Sequence, residues 1–306
     1  MSTWFIVNPK AGSAGKYADL FASIGHRTGV KVHETEGPGD AERLARLACV
    51  KGAERVVAAG GDGTVNEVLN GLAGHFHQVT LGIVPLGTGN DVARSLGLPM
   101  DPEFATKYLL DSDDARQLDV MRVSNPATSR LAINHVNGGY SNLVTDRLSS
   151  EVKQRWGPFA YIKEATSQLR DRTEYRTRIE WDDGQIETVD AVNVFIANGR
   201  TVAGGLRIAP EASLEDGMVI AFVLPAGSLV ELAGMAARAL VGSLMESDHV
   251  IARPARRLHI ESQPAMIFNV DGENFCERIV DVRVIPGMLR AIVGPDYQVE
   301  AVRKVG

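Results

Sequence analysis

Arg55-Val56-Val57-Ala58-Ala59-Gly60-Gly61-Asp62-Gly63-Thr64-Val65-Asn66-Glu67-Val68-Leu69 reads as a strand, a glycine turn and the start of a helix. The run to Ala59 is short and apolar, as a strand covered on both faces requires, and Val65, Val68, Leu69 and Leu72 then recur at helical spacing. The same order appears on either side. Phe5 to Asn8 runs into Pro9-Lys10-Ala11-Gly12-Ser13-Ala14-Gly15 and a helix from Tyr17 to Ile24, while Thr80 to Pro85 runs into Gly87-Thr88-Gly89-Asn90 and a helix from Asp91 to Leu96. Between them Val30 to Glu34 is extended, and Asp40 caps a helix with Leu44, Leu47 and Ala48 on one face. Strands alternating with helices over the first 120 residues predict a parallel sheet covered by helices.

After Leu118-Asp119-Val120 the texture changes to β segments near residues 131–138, 173–181, 187–197, 218–224, 256–261, 265–270 and 278–285. Strands with few helices between them predict an antiparallel sandwich. Two helices interrupt it, one marked by Phe159, Ile162, Thr166 and Leu169, the other by Leu229, Leu232, Met235, Ala236, Ala239 and Leu240. The apolar stripe of the second is expected to pack on the sheet. The length of 306 residues suits two domains.

With 44% hydrophobic and 23% charged residues the chain has material for two modest cores, and its net charge of −6 argues against broad affinity for nucleic acid. Basic residues gather between Arg147 and Arg178, including Lys153, Arg155, Lys163, Arg170, Arg172 and Arg176, as a solvated face or a contact for anionic lipid. Cys49 and Cys276 are far apart and lack metal spacing, which fits a reducing cytoplasm. His75 and His77 lie in a polar loop and are read as structural or idle. The start of the chain lacks the features of a signal peptide, and no apolar run approaches the ~20 residues of a membrane span, so the protein is expected to visit a membrane without crossing it.

In an open α/β sheet, ligands gather beyond the carboxyl ends of the strands. Each of the three glycine turns lies at such an end, and each lets backbone N–H groups approach an anion at the start of a helix. Together they describe a polyphosphate cradle. A Walker A sequence is absent, because Gly12-Ser13-Ala14-Gly15-Lys16-Tyr17 has the wrong spacing and lacks the hydroxyl, and no Gly-x-Gly-x-x-Gly follows the first strand. Arg94 and Arg200 are available to steady phosphate charge in place of the Walker lysine.

Gly60 to Val68 resembles the Gly-Gly-Asp-Gly-Thr nucleotide signature shared by diacylglycerol kinases, sphingosine kinases, NAD kinases and, more distantly, phosphofructokinases. Pro85-Leu86-Gly87-Thr88-Gly89-Asn90-Asp91-Val92-Ala93-Arg94 resembles a second signature, that of the diacylglycerol kinase catalytic domain. Asn198-Gly199-Arg200, Ala203 to Ala212 and Asp216-Gly217 are similar to the second-domain block of bacterial soluble lipid kinases, and Val270-Asp271-Gly272-Glu273 to their catalytic Asp-Gly-Glu. The likeness covers nearly the whole chain and is nearest to bacterial diacylglycerol and YegS-type lipid kinases.

The resemblance implies a nucleotide-binding α/β domain of NAD kinase and diacylglycerol kinase type at residues 1–121, to which residues 288–306 return, and a β-sandwich lipid-substrate domain at 122–287. It implies ATP and Mg²⁺, with transfer of the γ-phosphoryl group to a lipid hydroxyl. Diacylglycerol giving phosphatidic acid is the expected reaction, in phospholipid biosynthesis. NAD kinase and a non-catalytic nucleotide- or lipid-binding regulator stand as alternatives. Nucleotide contacts fall to Asn8, Thr35, Gly60, Gly61, Asp62, Gly63, Thr64, Asn66, Glu67 and Thr88. Asp62, Asp119 and Asp271 are implied to order the catalytic Mg²⁺ and its waters, and Glu273 to act as general base. A second metal is implied at Asp216 with the main-chain oxygens of Ser213 and Met218. The expected partner is a lipid at the inner face of the membrane, met by peripheral contact, with no nucleic acid and with a homodimer left open.

Overall fold

The computed structural model describes residues 2–139, 173–240, 243–271 and 273–298. The helix expected around Phe159 to Leu169 and the basic run from Arg147 to Arg172 lie outside the described residues. Arg176 and Arg178 stand on a strand, Tyr175–Trp181.

Four strands, β1 (Thr3–Val7), β2 (Val30–Glu34), β3 (Arg55–Gly60) and β4 (Thr80–Pro85), pair in parallel in the order β4-β3-β1-β2. All residues of β1, β3 and β4 are buried, which is why they read as continuous apolar runs rather than as alternating ones. Helices α1 (Ala18–Ile24), α2 (Asp40–Val50), α3 (Asp62–Gly71), α4 (Asp91–Ser95) and α5 (Pro102–Asp111) accompany them. Helix α5 begins at an N-cap whose signal is plain afterwards: the Asp101 carboxylate accepts the N–H groups of Glu103 and Phe104, each at 3.0 Å, with Pro102 in the first turn.

The strands β5 (Ala115–Ser124), β6 (Ser129–Ala132), β7 (His135–Gly139), β8 (Tyr175–Trp181), β9 (Ile186–Ala197), β12 (Val219–Pro225), β13 (Ile251–Ala255), β14 (Arg257–Val270) and β15 (Glu273–Ile292) pair antiparallel with one another, beside a small ribbon of β10 (Thr201–Val202) and β11 (Leu206–Arg207). Alternation sets the inner face: Val194 and Ile196 join the core with Val136, Phe268 and Val282, while Phe195 and Ala197 pack on the other side with Ile220 and Phe222. The two segments expected at 256–261 and 265–270 are one strand, β14, whose register on β15 shifts between Glu261 and Met266. Helix α6 (Leu229–Leu240) buries Leu232 and Met235 against Val192 and Leu244, so the described part of its apolar stripe packs on the protein.

Strand β15 joins the halves. Its start pairs with β14 in the sandwich, and its end lies on the parallel sheet, with Ala291 opposite Leu81 of β4. Val280, Val282 and Val284 sit in one core, Leu289, Ala291 and Ile292 in the other. Between these sets its register on β5 shifts, and Gly287 takes φ of 57°, a left-handed conformation that glycine adopts without strain.

Candidate active site

The order β4-β3-β1-β2 puts β1 beside β3, with the chain leaving them in opposite directions across the sheet; a crevice opens at such a switch point. The first and second glycine turns meet there, because Asn8 Nδ2 donates to Thr64 Oγ1 at 3.1 Å. The third closes against the second. A Cβ on Gly87 would stand 2.5 Å from Gly61 Cα, so neither chain tolerates a side chain at that crossing. Ser13 N–H donates to Leu86 O at 2.9 Å and ties the first turn to the third. Asn90 holds the third turn in shape: it accepts from Gly87 N–H and donates to Gly87 O, both at 2.8 Å, from a left-handed backbone with φ of 54°. The three turns are thus one structure. Thr35, which follows β2, is buried and donates its N–H to Val7 O at 2.9 Å.

Glycine has different reasons in the signature itself. A Cβ on Gly60 would fall 2.4 Å from Thr64 Oγ1, a clash within the protein. One on Gly63 would meet nothing within 4 Å, and Gly63 and Thr88 are exposed at the mouth of the cradle. Bareness at Gly63 serves space outside the fold.

Asp62 opens α3, and its Oδ1 accepts the Val92 N–H of α4 at 3.0 Å. Asp91 opens α4, is 5% exposed, and accepts from Gly204 and Gly205 N–H at 2.9–3.1 Å. Burial raises the Asp91 pKa, those bonds oppose the rise, and the nearby Asp62 charge adds to it. Asp62 Oδ2 and Asp91 Oδ2 lie 3.0 and 3.1 Å from the point where a Cβ on Gly89 would stand. Two carboxylate oxygens turned toward one bare glycine form a donor set that suits Mg²⁺, a hard cation that takes one or two carboxylates and completes its shell with phosphate and water. Sequence reasoning quoted Asp91 without giving it a part. The signal was an acid at the first position of a helix directly after a glycine turn.

Asp119 and Asp271 are buried, at 1% and 2% exposure. Asp119 accepts Gly217 N–H at 2.6 Å and Gly287 N–H at 2.7 Å, so its carboxylate ties β5 to the Asp216-Gly217 turn and to the crossing point of β15. Asp271 accepts from the N–H groups of Ile133, Asn134 and His135 at 2.6, 3.1 and 2.8 Å. Burial raises both pKa values, and the N–H bonds counter it. Asn66 bridges toward Asp271, with Nδ2 2.9 Å from Leu131 O and 3.5 Å from Asp271 Oδ2, so helix α3 and the turn before β15 share one network. Glu67 faces elsewhere: its carboxylate accepts Ala41 N–H at 3.0 Å at the start of α2.

Val270 stands opposite Glu273 where β14 and β15 join, with Asp271 between them in a left-handed conformation, φ 45°. This puts the backbone of Glu273 directly beyond Asp271; its side chain lies outside the described residues. Asp216 Oδ1 accepts Met218 N–H at 3.0 Å and closes its own turn, with the Ser213 hydroxyl accepting Glu215 N–H at 3.3 Å. Among the described residues no cluster of three His, Cys, Asp or Glu side chains able to hold a metal occurs. Arg94 donates to Gly89 O at 3.2 Å on the third turn, whereas Arg200 donates to Ala212 O at 2.9 Å and Gln298 O at 3.2 Å, away from the glycine turns.

Residues 2–123 match the diacylglycerol kinase catalytic domain family, and residues 134–293 match the YegS C-terminal NAD kinase beta sandwich-like domain. A diacylglycerol kinase of Bacillus subtilis (strain 168) is 32% identical over 274 residues, 88% of each chain. One of Staphylococcus haemolyticus (strain JCSC1435) is 34% identical over 241 residues, 79% of this chain and 71% of that one. A crystal structure from Bacillus anthracis str. Sterne, provisionally named a diacylglycerol kinase, superposes with a TM-score of 0.78 at 25% identity, over 97% of this chain and 96% of the other.

Proposed function

We propose, for a chain that belongs to the diacylglycerol kinase catalytic domain family and is therefore an ATP-dependent lipid kinase, that the alcohol it phosphorylates is the free hydroxyl of diacylglycerol and the product phosphatidic acid. Family membership sets NAD aside as the acceptor. The observation that carries the reading is the convergence of three glycine turns with Asp62 and Asp91. The diacylglycerol itself rests on the names of the relatives.

Phosphoryl transfer asks a protein mainly for positioning and charge stabilisation. In this reading the turns at Asn8, Gly60 to Thr64 and Thr88 bind the phosphates through backbone N–H groups and hydroxyls, and Thr35 borders the nucleotide. Asp62 and Asp91 would hold Mg²⁺, with Asp119 and Asp271 ordering the surrounding waters and donors. Bound there, the ion would neutralise charge on the phosphate oxygens. Glu273 takes the proton of the lipid hydroxyl as general base. A second cation at Asp216, with the carbonyl oxygens of Ser213 and Met218, belongs to the same reading, and its donors are hard oxygens. No described helix is long and apolar enough to cross a membrane, so the lipid would be met by peripheral contact with a membrane surface.

The test is transfer of label from γ-labelled ATP with Mg²⁺ to mixed micelles of diacylglycerol, a sphingoid base, phosphatidylglycerol and an isoprenoid alcohol, with NAD in parallel. Labelled phosphatidic acid as the main product is expected. Label in another lipid would replace diacylglycerol as the acceptor, and label in NAD alone or nowhere would overturn the reading.

A further inference from the structure

His135 has no part in the scheme above, yet it lies at the centre of the network. It opens β7, its own N–H holds Asp271 Oδ1, and its ring Nδ1 is 4.0 Å from the same oxygen. The ring stacks on Phe195 with centroids 5.2 Å apart and planes 13° apart, so its orientation is fixed, and its side chain is 21% exposed.

Asn134 assigns the tautomer. Asn134 Nδ2 donates to Thr201 O at 3.0 Å, and because a carbonyl only accepts, this sets the amide the right way round. The same Nδ2 is 3.1 Å from His135 Nδ1. Nδ1 therefore accepts, and the ring carries its proton on Nε2. Among the described residues this Nε2–H has no acceptor. A rigidly held, partly exposed donor thus stands beside the Asp271 carboxylate and the turn that leads to Glu273.

We infer that His135 touches the reacting groups, its Nε2–H donating to an oxygen of the phosphoryl group in transfer or of the lipid hydroxyl. The inference rests on the kinase reading. It needs no charge on the ring: a fixed neutral donor aimed where negative charge develops stabilises the transition state without reorganising. Both oxygens offer the same chemistry, and kinetics separate them.

The full chain is compared with His135→Phe, which keeps an aromatic ring against Phe195 but lacks the donor, and with His135→Gln, whose amide N–H reaches the same region. His135→Asn, too short to place a donor there, serves as a second loss variant if the Phe variant does not fold. Transfer to diacylglycerol micelles, the KM for each substrate, ATP hydrolysis without lipid, and thermal melting are measured. A kcat loss of roughly 100-fold in the Phe or Asn variant at unchanged melting temperature, with substantial recovery in the Gln variant, is expected. A parallel fall in lipid-free hydrolysis assigns the oxygen to the phosphoryl group; preserved hydrolysis with a raised lipid KM assigns it to the hydroxyl. Loss variants within about threefold of wild type, or a Gln variant no better than they are, overturn the inference while wild-type transfer in the same assay upholds the kinase. A wild-type chain that labels no lipid overturns both.

Discussion

Two neighbouring glycines of one signature respond to opposite constraints. Gly63→Ala adds a methyl group to open space near the start of α3, so the fold should be unharmed or gain up to about 1 kcal/mol from helix propensity, while the KM for ATP rises. Gly60→Ala drives a Cβ into Thr64 and should lower stability by about 1–3 kcal/mol. Chemical denaturation beside nucleotide titration separates the two, and a Gly63→Ala protein with normal ATP affinity would place the phosphates elsewhere. Glu273→Gln should cut transfer about 100-fold or more without altering the far-ultraviolet spectrum. Wild-type turnover from that variant would remove Glu273 as the base. The glycine turns and Asp62 were legible because each occupies a fixed place relative to a strand end; the surroundings of His135 were not, because they depend on the Asn134 amide and on Asp271, which is 136 positions away.

Strand pairing decides which side chains titrate together. His259 on β14 faces Asp281 on β15 directly across the ladder, with Nδ1 3.1 Å from Asp281 Oδ1 and Nε2 3.2 Å from Glu261 Oε1. Arg257 lies near Asp281, and Arg178 on β8 near Glu261. Partial burial lowers the His259 pKa, but the hydrogen bonds to Asp281 and Glu261, with their charges, outweigh it and raise the value. A raised folded pKa means that protonation favours the folded state, so the contribution is complete below the ordinary histidine value of about 6.5 and is lost as pH climbs through the raised folded value. Denaturation of wild type and His259→Gln across this range should show a stability gap that closes with rising pH; a gap that widens would reverse the assignment. The β period was readable in β9 and in β14, but the partner of each strand was not: β13 carries Pro254, the β10–β11 ribbon has only two residues in each strand, and β14 continues through Pro264 where an interruption was expected.

On the scale of the molecule, β15 supplies side chains to both cores and should therefore couple their unfolding. Leu289 is fully buried in the core of the parallel sheet, on the strand that also supplies Val280 and Val282 to the sandwich. Leu289→Ala should remove about 2–5 kcal/mol, and the loss should appear in both halves together. Single-tryptophan variants retaining Trp4 in the first core or Trp181 in the second report on each half, and their denaturation midpoints should coincide and fall in step. Separate transitions, with only the Trp4 signal displaced, would show that the shared strand does not couple them. Asp119 reinforces this junction by holding Gly287 at the crossing and Gly217 beyond it.

The sequence by itself determined the two fold types and the three glycine turns, because burial on both faces, alternation and turn chemistry are local patterns that neighbouring residues impose on one another. It also placed Asp62 between a strand end and a helix start, a position that local pattern alone fixes. Only the tertiary structure set Asp91 beside Asp62, closed Asp119 and Asp271 into separate cages of N–H groups, and brought the His135 N–H onto Asp271. Those relations join residues far apart in the chain, and their free energy exists only once the strands that carry them have packed.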